Sequence, residues 1–179
     1  MEQYKLSNIL RNVLENIGIP ESYYSIGKYK EGATCIEKVG KVYVVYNAER
    51  AERYERIECK NEQDACVEAI RRIAKDNKDF EILEEEFYEA KARKVLKEVL
   101  TKEGVPRHKY CLEGYAEDAV CIEKGSNGYF VYVVKEDEEN ELIKHPNIAK
   151  AFIDVISRLI RNDIKEQKVI YDFISELKK

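Results

Sequence analysis

Sliding the sequence past itself by 86 positions aligns Gly18-Ile19-Pro20 with Gly104-Val105-Pro106, and Cys35-Ile36-Glu37-Lys38 with Cys121-Ile122-Glu123-Lys124. Over residues 18 to 38 the match is ungapped, and ten of the 21 positions are identical. A loop difference follows, Val39-Gly40-Lys41 against Gly125-Ser126-Asn127-Gly128, before the register recovers at Asn61 and Asn147. A chain that repeats itself once must satisfy one set of packing rules twice, so two units of small-domain size are expected, residues 1–86 and 87–179. Two copies are too few for a solenoid.

Each copy predicts the same run of elements. Leu6, Ile9, Leu10, Val13, Leu14 and Ile17 recur at spacings of three and four, one stripe of a helix that stops at Gly18 with Pro20 just beyond. Ala92, Val95, Leu96, Val99 and Leu100 repeat the stripe before Gly104 and Pro106. Short runs rich in Tyr, Val, Ile and Thr come next, at 23–29, 33–39, 41–47 and 54–59, then at 109–115, 119–124, 129–135 and 140–144. They predict antiparallel meanders of three or four strands, with Asn127-Gly128 as a hairpin turn. Asn61 and Asn147 are N-cap candidates for a second helix in each copy. Residues 79–103, free of Gly and Pro and rich in Glu, Lys, Ala and Leu, predict a long helix joining the units, and 163–178 a C-terminal one. Helices over one face of an antiparallel sheet define an α+β fold.

Composition excludes several classes. No run approaches the roughly 18 apolar residues of a membrane-spanning helix, and the start Met1-Glu2-Gln3-Tyr4-Lys5 lacks a charged segment leading into an apolar one, so a cytosolic protein is expected. Five cysteines, an odd number with none in a C-x-x-C pair, read as buried thiols. A net charge of −4 argues against a protein that coats nucleic acid, whose affinity rests on basic patches.

Catalytic patterns are scarce. His108 and His145 are the two histidines, neither with a counterpart in the first copy, so no duplicated histidine site exists. The nearest metal half-site is His108-x-x-Cys111, short of the four ligands of a structural zinc, and no metal or other cofactor is expected. There is no G-x-S-x-G elbow, no Walker loop and no G-x-G-x-x-G. The repeated Glu37-Lys38 and Glu123-Lys124 pairs are adjacent on a strand and so point to opposite faces. Cys35 and Cys121 have no histidine beside them to make a nucleophile.

What remains is a surface for another protein. Most of the 13 tyrosines lie in predicted strands. If helices cover one face of each sheet, some of these rings stand exposed on the other, where an apolar ring with a polar tip suits an interface. Charge adds to this: Glu136, Asp137, Glu138, Glu139 and Glu141 form an acidic loop in the second copy, able to steer toward a basic partner. The candidate partner-binding residues are Tyr43, Tyr46, Glu49 and Arg50 in the first copy, with Tyr132, Asp137, Glu138 and Glu139 in the second.

The run Tyr24-Ser25-Ile26-Gly27-Lys28-Tyr29, then Ala33-Thr34-Cys35-Ile36-Glu37-Lys38, then Tyr43-Val44-Val45-Tyr46-Asn47-Ala48-Glu49-Arg50, and the helix with Asp64-Ala65-Cys66 together resemble the small α+β immunity proteins of bacterial polymorphic toxin systems. In that family a strand ending Cys-Leu-Glu leads to one reading Trp-x-Val-Tyr-Tyr and then Glu-Arg-Gly. Here Tyr43 stands for the Trp, Asn47 for the second Tyr and Ala51 for the Gly. The second copy departs further, with Phe130 at the Trp position and Glu136-Asp137 in place of Glu-Arg. The resemblance implies a cytosolic inhibitor that binds a toxin domain and performs no catalysis.

A rival from another class is a tandem double-stranded-RNA binder, whose domain also runs helix, three strands, helix. Such domains grip phosphates with lysines at the start of the second helix. This chain offers Glu62, Gln63 and Asp64 there, and Ile148, Ala149 and Lys150 in the other copy, which is no clamp, so nucleic acid is not the expected partner. A small enzyme of unassigned type is the third alternative.

Overall fold

The computed structural model describes residues 5–75, 77–135 and 138–178. The fold is α+β, with five α-helices and two four-stranded mixed sheets among the described residues. The chain divides into two compact units, Met1–Lys91 and Ala92–Lys179.

The first unit opens with α1 (Lys5–Asn16), whose apolar stripe buries Ile9, Leu10, Val13 and Leu14. Gly18, at φ 81°, ends it as the spacing predicts: its N–H donates to Glu15 O at 3.0 Å, and the N–H of Ile19 donates to Leu14 O at 2.8 Å. A 3-10 turn (Glu21–Tyr23) leads into β1 (Tyr24–Ile26), β2 (Thr34–Val39), β3 (Val42–Glu49) and β4 (Glu52–Cys59). Next comes α2 (Glu62–Ile73), capped by the Asn61 side chain, which accepts from the Asp64 N–H at 2.8 Å. The first part of α3 (Asn77–Lys102) completes the unit with Leu83 and Phe87. These pack with Ile36, Tyr43, Val45, Cys66 and Ile70 in one core on the helix side of the sheet.

The second unit takes the rest of α3, then a 3-10 turn (Arg107–Lys109), β5 (Tyr110–Cys111), β6 (Val120–Gly125), β7 (Gly128–Lys135), β8 (Glu138–His145), α4 (Ile148–Leu159) and α5 (Asp163–Leu177). Asn147 caps α4 through the Lys150 N–H, and Asn162 caps α5 through the Lys165 N–H, each at 3.0 Å. Its core joins Leu96, Leu100, Ile122, Val131, Ile156 and Val169 to Phe152 and Phe173, which meet edge to face at 6.1 Å.

The meander expectation needs correction. The sheets run β1-β2-β3-β4 and β5-β6-β7-β8, but β1 is parallel to β2 and β5 to β6; the later pairs alone are antiparallel. Apolar alternation fixes which face a residue takes and is blind to strand direction. A parallel return normally needs a long crossover, yet β1 is only three residues, so residues 27–33, turned at Gly27 and Gly32 (φ 83° and 75°), suffice to carry the chain back.

The loop difference seen in the sequence also vanishes. Val39 pairs with Val42 and Gly125 with Gly128, so each hairpin has a two-residue turn and the second is centred on Ser126-Asn127. Gly128, at φ 130°, lies so close to His145 that a Cβ there would strike the His145 carbonyl.

The face opposite the helices is not open either. Ala33, Cys35, Val44, Tyr46 and Ala48 form a second apolar cluster there, with Tyr29 from the β1–β2 connection packed against it. In the second unit Ala119, Cys121, Tyr132 and Val134 do the same, with Cys111, Ala116 and Phe130 alongside.

Candidate functional site

The tyrosines expected on an open face are core residues. Tyr46 is 0 % exposed, Tyr132 2 % and Tyr43 8 %, so none presents its ring to a partner. Tyr43 belongs to the helix-side core, with the Lys38 ammonium 5.5 Å from its ring centre. Tyr46 lies on the other side, where its ring stacks on Tyr29 at 6.4 Å and its hydroxyl donates to Glu37 Oε1 at 2.7 Å. Arg53 closes this cluster: its guanidinium sits 5.1 Å from the Tyr46 ring centre, and its Nη2 donates to Glu37 Oε2 at 3.2 Å. Burial, more than the bond to Glu37, pushes the Tyr46 hydroxyl well above its usual range, so it stays a donor. Sequence pattern assigned these rings to strands correctly, but it could not show that the β1–β2 connection folds over them.

Glu49 and Arg50 stand at the β3–β4 turn, both exposed and 3.6 Å apart. Arg50 and Ala51 take φ 53° and 63°, the left-handed region that a two-residue hairpin turn requires and that glycine usually supplies. Here a carboxylate compensates. Glu31 accepts from the Arg50 N–H at 2.5 Å and the Ala51 N–H at 3.2 Å, while Tyr29 Oη donates to it at 2.6 Å. The Tyr29 bond and then the two amides hold Glu31 below the usual carboxylate range, and Glu31 in turn pushes the Tyr29 hydroxyl up to about 12. Glu49 and Arg50 thus belong to a braced turn. Asp137 lies outside the described residues, and Glu138 and Glu139 open β8.

Surfaces that do face solvent lie elsewhere. β4 is an edge strand of its sheet and is exposed from Glu52 through Glu58. Its sequence, Glu-Arg-Tyr-Glu-Arg-Ile-Glu, places charge on both parities, a signal of a strand covered on neither side. A register shift between Val45 and Asn47 sets Tyr54 opposite Asn47 and Ile57 opposite Val45, so these two side chains share one face despite being three apart. Tyr54 is 40 % and Ile57 43 % exposed. On β8, Leu142 and Ile143 are 54 % and 48 % exposed, and β8 is likewise an edge strand of its sheet.

Burial disfavours thiol chemistry. Cys35, Cys59, Cys66 and Cys121 are buried, and burial pushes the first three thiols up, away from the thiolate. Lys91, which no sequence pattern marks as buried, is 1 % exposed; its ammonium donates to the Gln63 side chain, and desolvation pulls it below the usual lysine range. Among the described residues no cluster of three metal-ligating side chains occurs, and no helix is long and apolar enough to cross a membrane.

No family model matches the chain, and no solved structure matches it. Among curated proteins it is similar to the probable cytoplasmic isoleucine--tRNA ligase of Enterocytozoon bieneusi, at 24 % identity over 192 residues. That match takes in 94 % of this chain and 20 % of the ligase, so the chain spans about one fifth of the length of the protein it matches.

Proposed function

We propose that this chain is a non-catalytic protein-binding module, a cytosolic inhibitor of the immunity-protein kind that neutralises a bacterial toxin or nuclease domain by binding it directly. The observation that carries this reading is the pair of exposed edge strands, β4 with Tyr54 and Ile57 and β8 with Leu142 and Ile143. An exposed edge offers backbone donors and acceptors to an added strand, and half-exposed apolar side chains beside charge supply anchors.

We further propose that the two units arose by tandem duplication. Support comes from features that recur 86 residues apart: Cys35 paired with Tyr46 and Cys121 with Tyr132, register shifts at Val45/Asn47 and Val131/Val133, and caps at Asn61 and Asn147. Moved back by 86, α5 falls on 77–91, and α1 moved forward falls on 91–102; together these ranges span α3, which fuses the closing helix of one copy to the opening helix of the next.

Replacing Ile57 and Ile143 by Lys tests the edge-strand reading. Loss of a stoichiometric protein partner at unchanged stability is expected, and undiminished capture contradicts it. A second reading, an RNA-binding segment, is favoured by the similarity to the isoleucine--tRNA ligase alone. The start of α2 speaks against it, since Glu62 there accepts the Ser7 N–H at 2.7 Å and Asp64 adds a second carboxylate where phosphate would sit.

A further inference from the structure

The second unit holds a cavity of about 830 Å³, within the size range of small-molecule sites, between the end of α4, the start of α5 and the β6–β8 side of the sheet. Five cations line it, Lys109, Lys135, Arg158, Arg161 and Lys165, against three carboxylates, Glu103, Asp118 and Glu141. Two of those carboxylates are engaged: Glu103 Oε2 lies 3.3 Å from Lys165 Nζ and Glu141 Oε2 3.7 Å from Arg158 Nη1. Lys109, Lys135 and Arg161 form no ion pair among the described residues and stand exposed around the cavity, with Asp118 as the remaining acid. Among the described residues, positive charge in the lining therefore exceeds negative.

The first unit makes a telling contrast. At the positions 86 residues earlier stand Tyr23, Glu49, Arg72, Lys75 and Asp79. Arg72 matches Arg158 because both hold a strand edge, at Glu55 and Glu141, and that role explains its presence in either unit. Lys135 and Lys165, by contrast, replace Glu49 and Asp79, and Lys109 replaces Tyr23. Lys165 is held by Glu103, whereas folding asks for neither Lys109 nor Lys135, since the same positions in the first unit do without a cation.

We propose that this cavity, which shares Glu141 with the edge strand β8, binds a small phosphate-bearing molecule. Lysine ammonium groups meet phosphate oxygens as point charges without a fixed fork, and Arg161 can supply bidentate contact. A single carboxylate would need less charge than Lys109, Lys135 and Arg161 provide together, whereas a di- or triphosphate presents several oxygens across a cavity of this width.

Titration with inorganic pyrophosphate and with ATP, followed by calorimetry on the full chain, tests the site. The variant Lys109→Tyr with Lys135→Glu carries the residues found at 23 and 49, so the fold should tolerate it, and circular dichroism checks that it does. Saturable binding of either probe, weakened at least tenfold in this variant and kept in Lys144→Glu, which lies outside the cavity, is the expected result. If the double variant fails to fold, Arg161→Ser is titrated in its place and must show the same loss. No binding, equal affinity in the variant, or binding of a 20-nucleotide RNA without binding of either small probe overturns the proposal.

Discussion

Arg72 reaches from α2 to the edge of its sheet, where its Nη2 donates to the backbone carbonyl of Glu55 at 2.6 Å. Glu55 has φ 51°, and it lies where β4 carries one more residue than β3 opposite it. Left-handed backbone costs a residue with a side chain about 1–2 kcal/mol, so the bulge persists because something rewards it. Arg72 does so, itself aimed by Glu68, whose Oε1 lies 2.8 Å from its Nε. In the second unit Arg158 Nη2 donates to the Glu141 carbonyl at 2.8 Å, Glu141 has φ 57°, and Asp154 takes the place of Glu68. A bulge turns an edge strand away from indiscriminate pairing with other edges.

Truncating Arg72 to Ala removes the bond to the Glu55 carbonyl and leaves Glu68 with Arg71 as its partner. A loss of about 1–3 kcal/mol is expected in urea unfolding, and Arg72→Lys should restore little of it, since one ammonium cannot serve both the carbonyl and the carboxylate in the same geometry. Stability equal to the parent in Arg72→Ala contradicts a bracing role.

Tyr46 separates core from interface. Tyr46→Ala removes a ring with no solvent exposure and should cost about 3–5 kcal/mol, as large aromatic truncations do. Tyr46→Phe keeps the ring and loses the bond to Glu37, costing about 1 kcal/mol. Thermal or urea unfolding checks both, and a Tyr46→Ala protein as stable as the parent contradicts the buried placement.

The β3–β4 turn depends on Glu31. Glu31→Gln should lower the urea midpoint, because a neutral amide accepts less strongly from the Arg50 and Ala51 N–H groups and from Tyr29. Ala51→Gly should raise it by relieving φ 63°. The opposite pair of signs contradicts the arrangement.

Asp154 gives the fold an acid limb. Its burial raises the carboxyl's pKa, but Arg158 and then His145 outweigh that and hold it below its ordinary value of 3.8. A carboxylate depressed in the folded state stabilises above its unfolded pKa, and that contribution is lost as pH falls through the folded value. Stability of the parent should therefore drop as pH falls below about 4, and Asp154→Asn should start lower and fall less steeply over the same range. Parallel curves for the two proteins contradict this coupling.

Much of the architecture is legible in the sequence, and its failures share a cause. Asn61 and Asn147 cap helices where side-chain chemistry predicts them, because a cap is a local interaction. The stripe from Leu6 to Val13 follows from periodicity, and the length of α3 from a run free of Gly and Pro, in the same way. What was missed is non-local. The parallel direction of β1, the cover that Tyr29 and its connection place over Tyr46, and the Arg72 brace all depend on segments brought together from afar. Tyr46 suits an interface by its chemistry, while Ile57, in a strand with charge on both parities, carries the clearer mark of exposure.

The measurement that bears most directly on the proposed function is capture from nuclease-treated lysate of the source organism at low and moderate salt, with tagged parent protein beside the Ile57→Lys, Ile143→Lys variant. One stoichiometric protein retained by the parent and lost by the folded variant is the expected result. Ribonucleoprotein that disappears with nuclease, or a protein held equally by both, contradicts partner recognition through the edge strands.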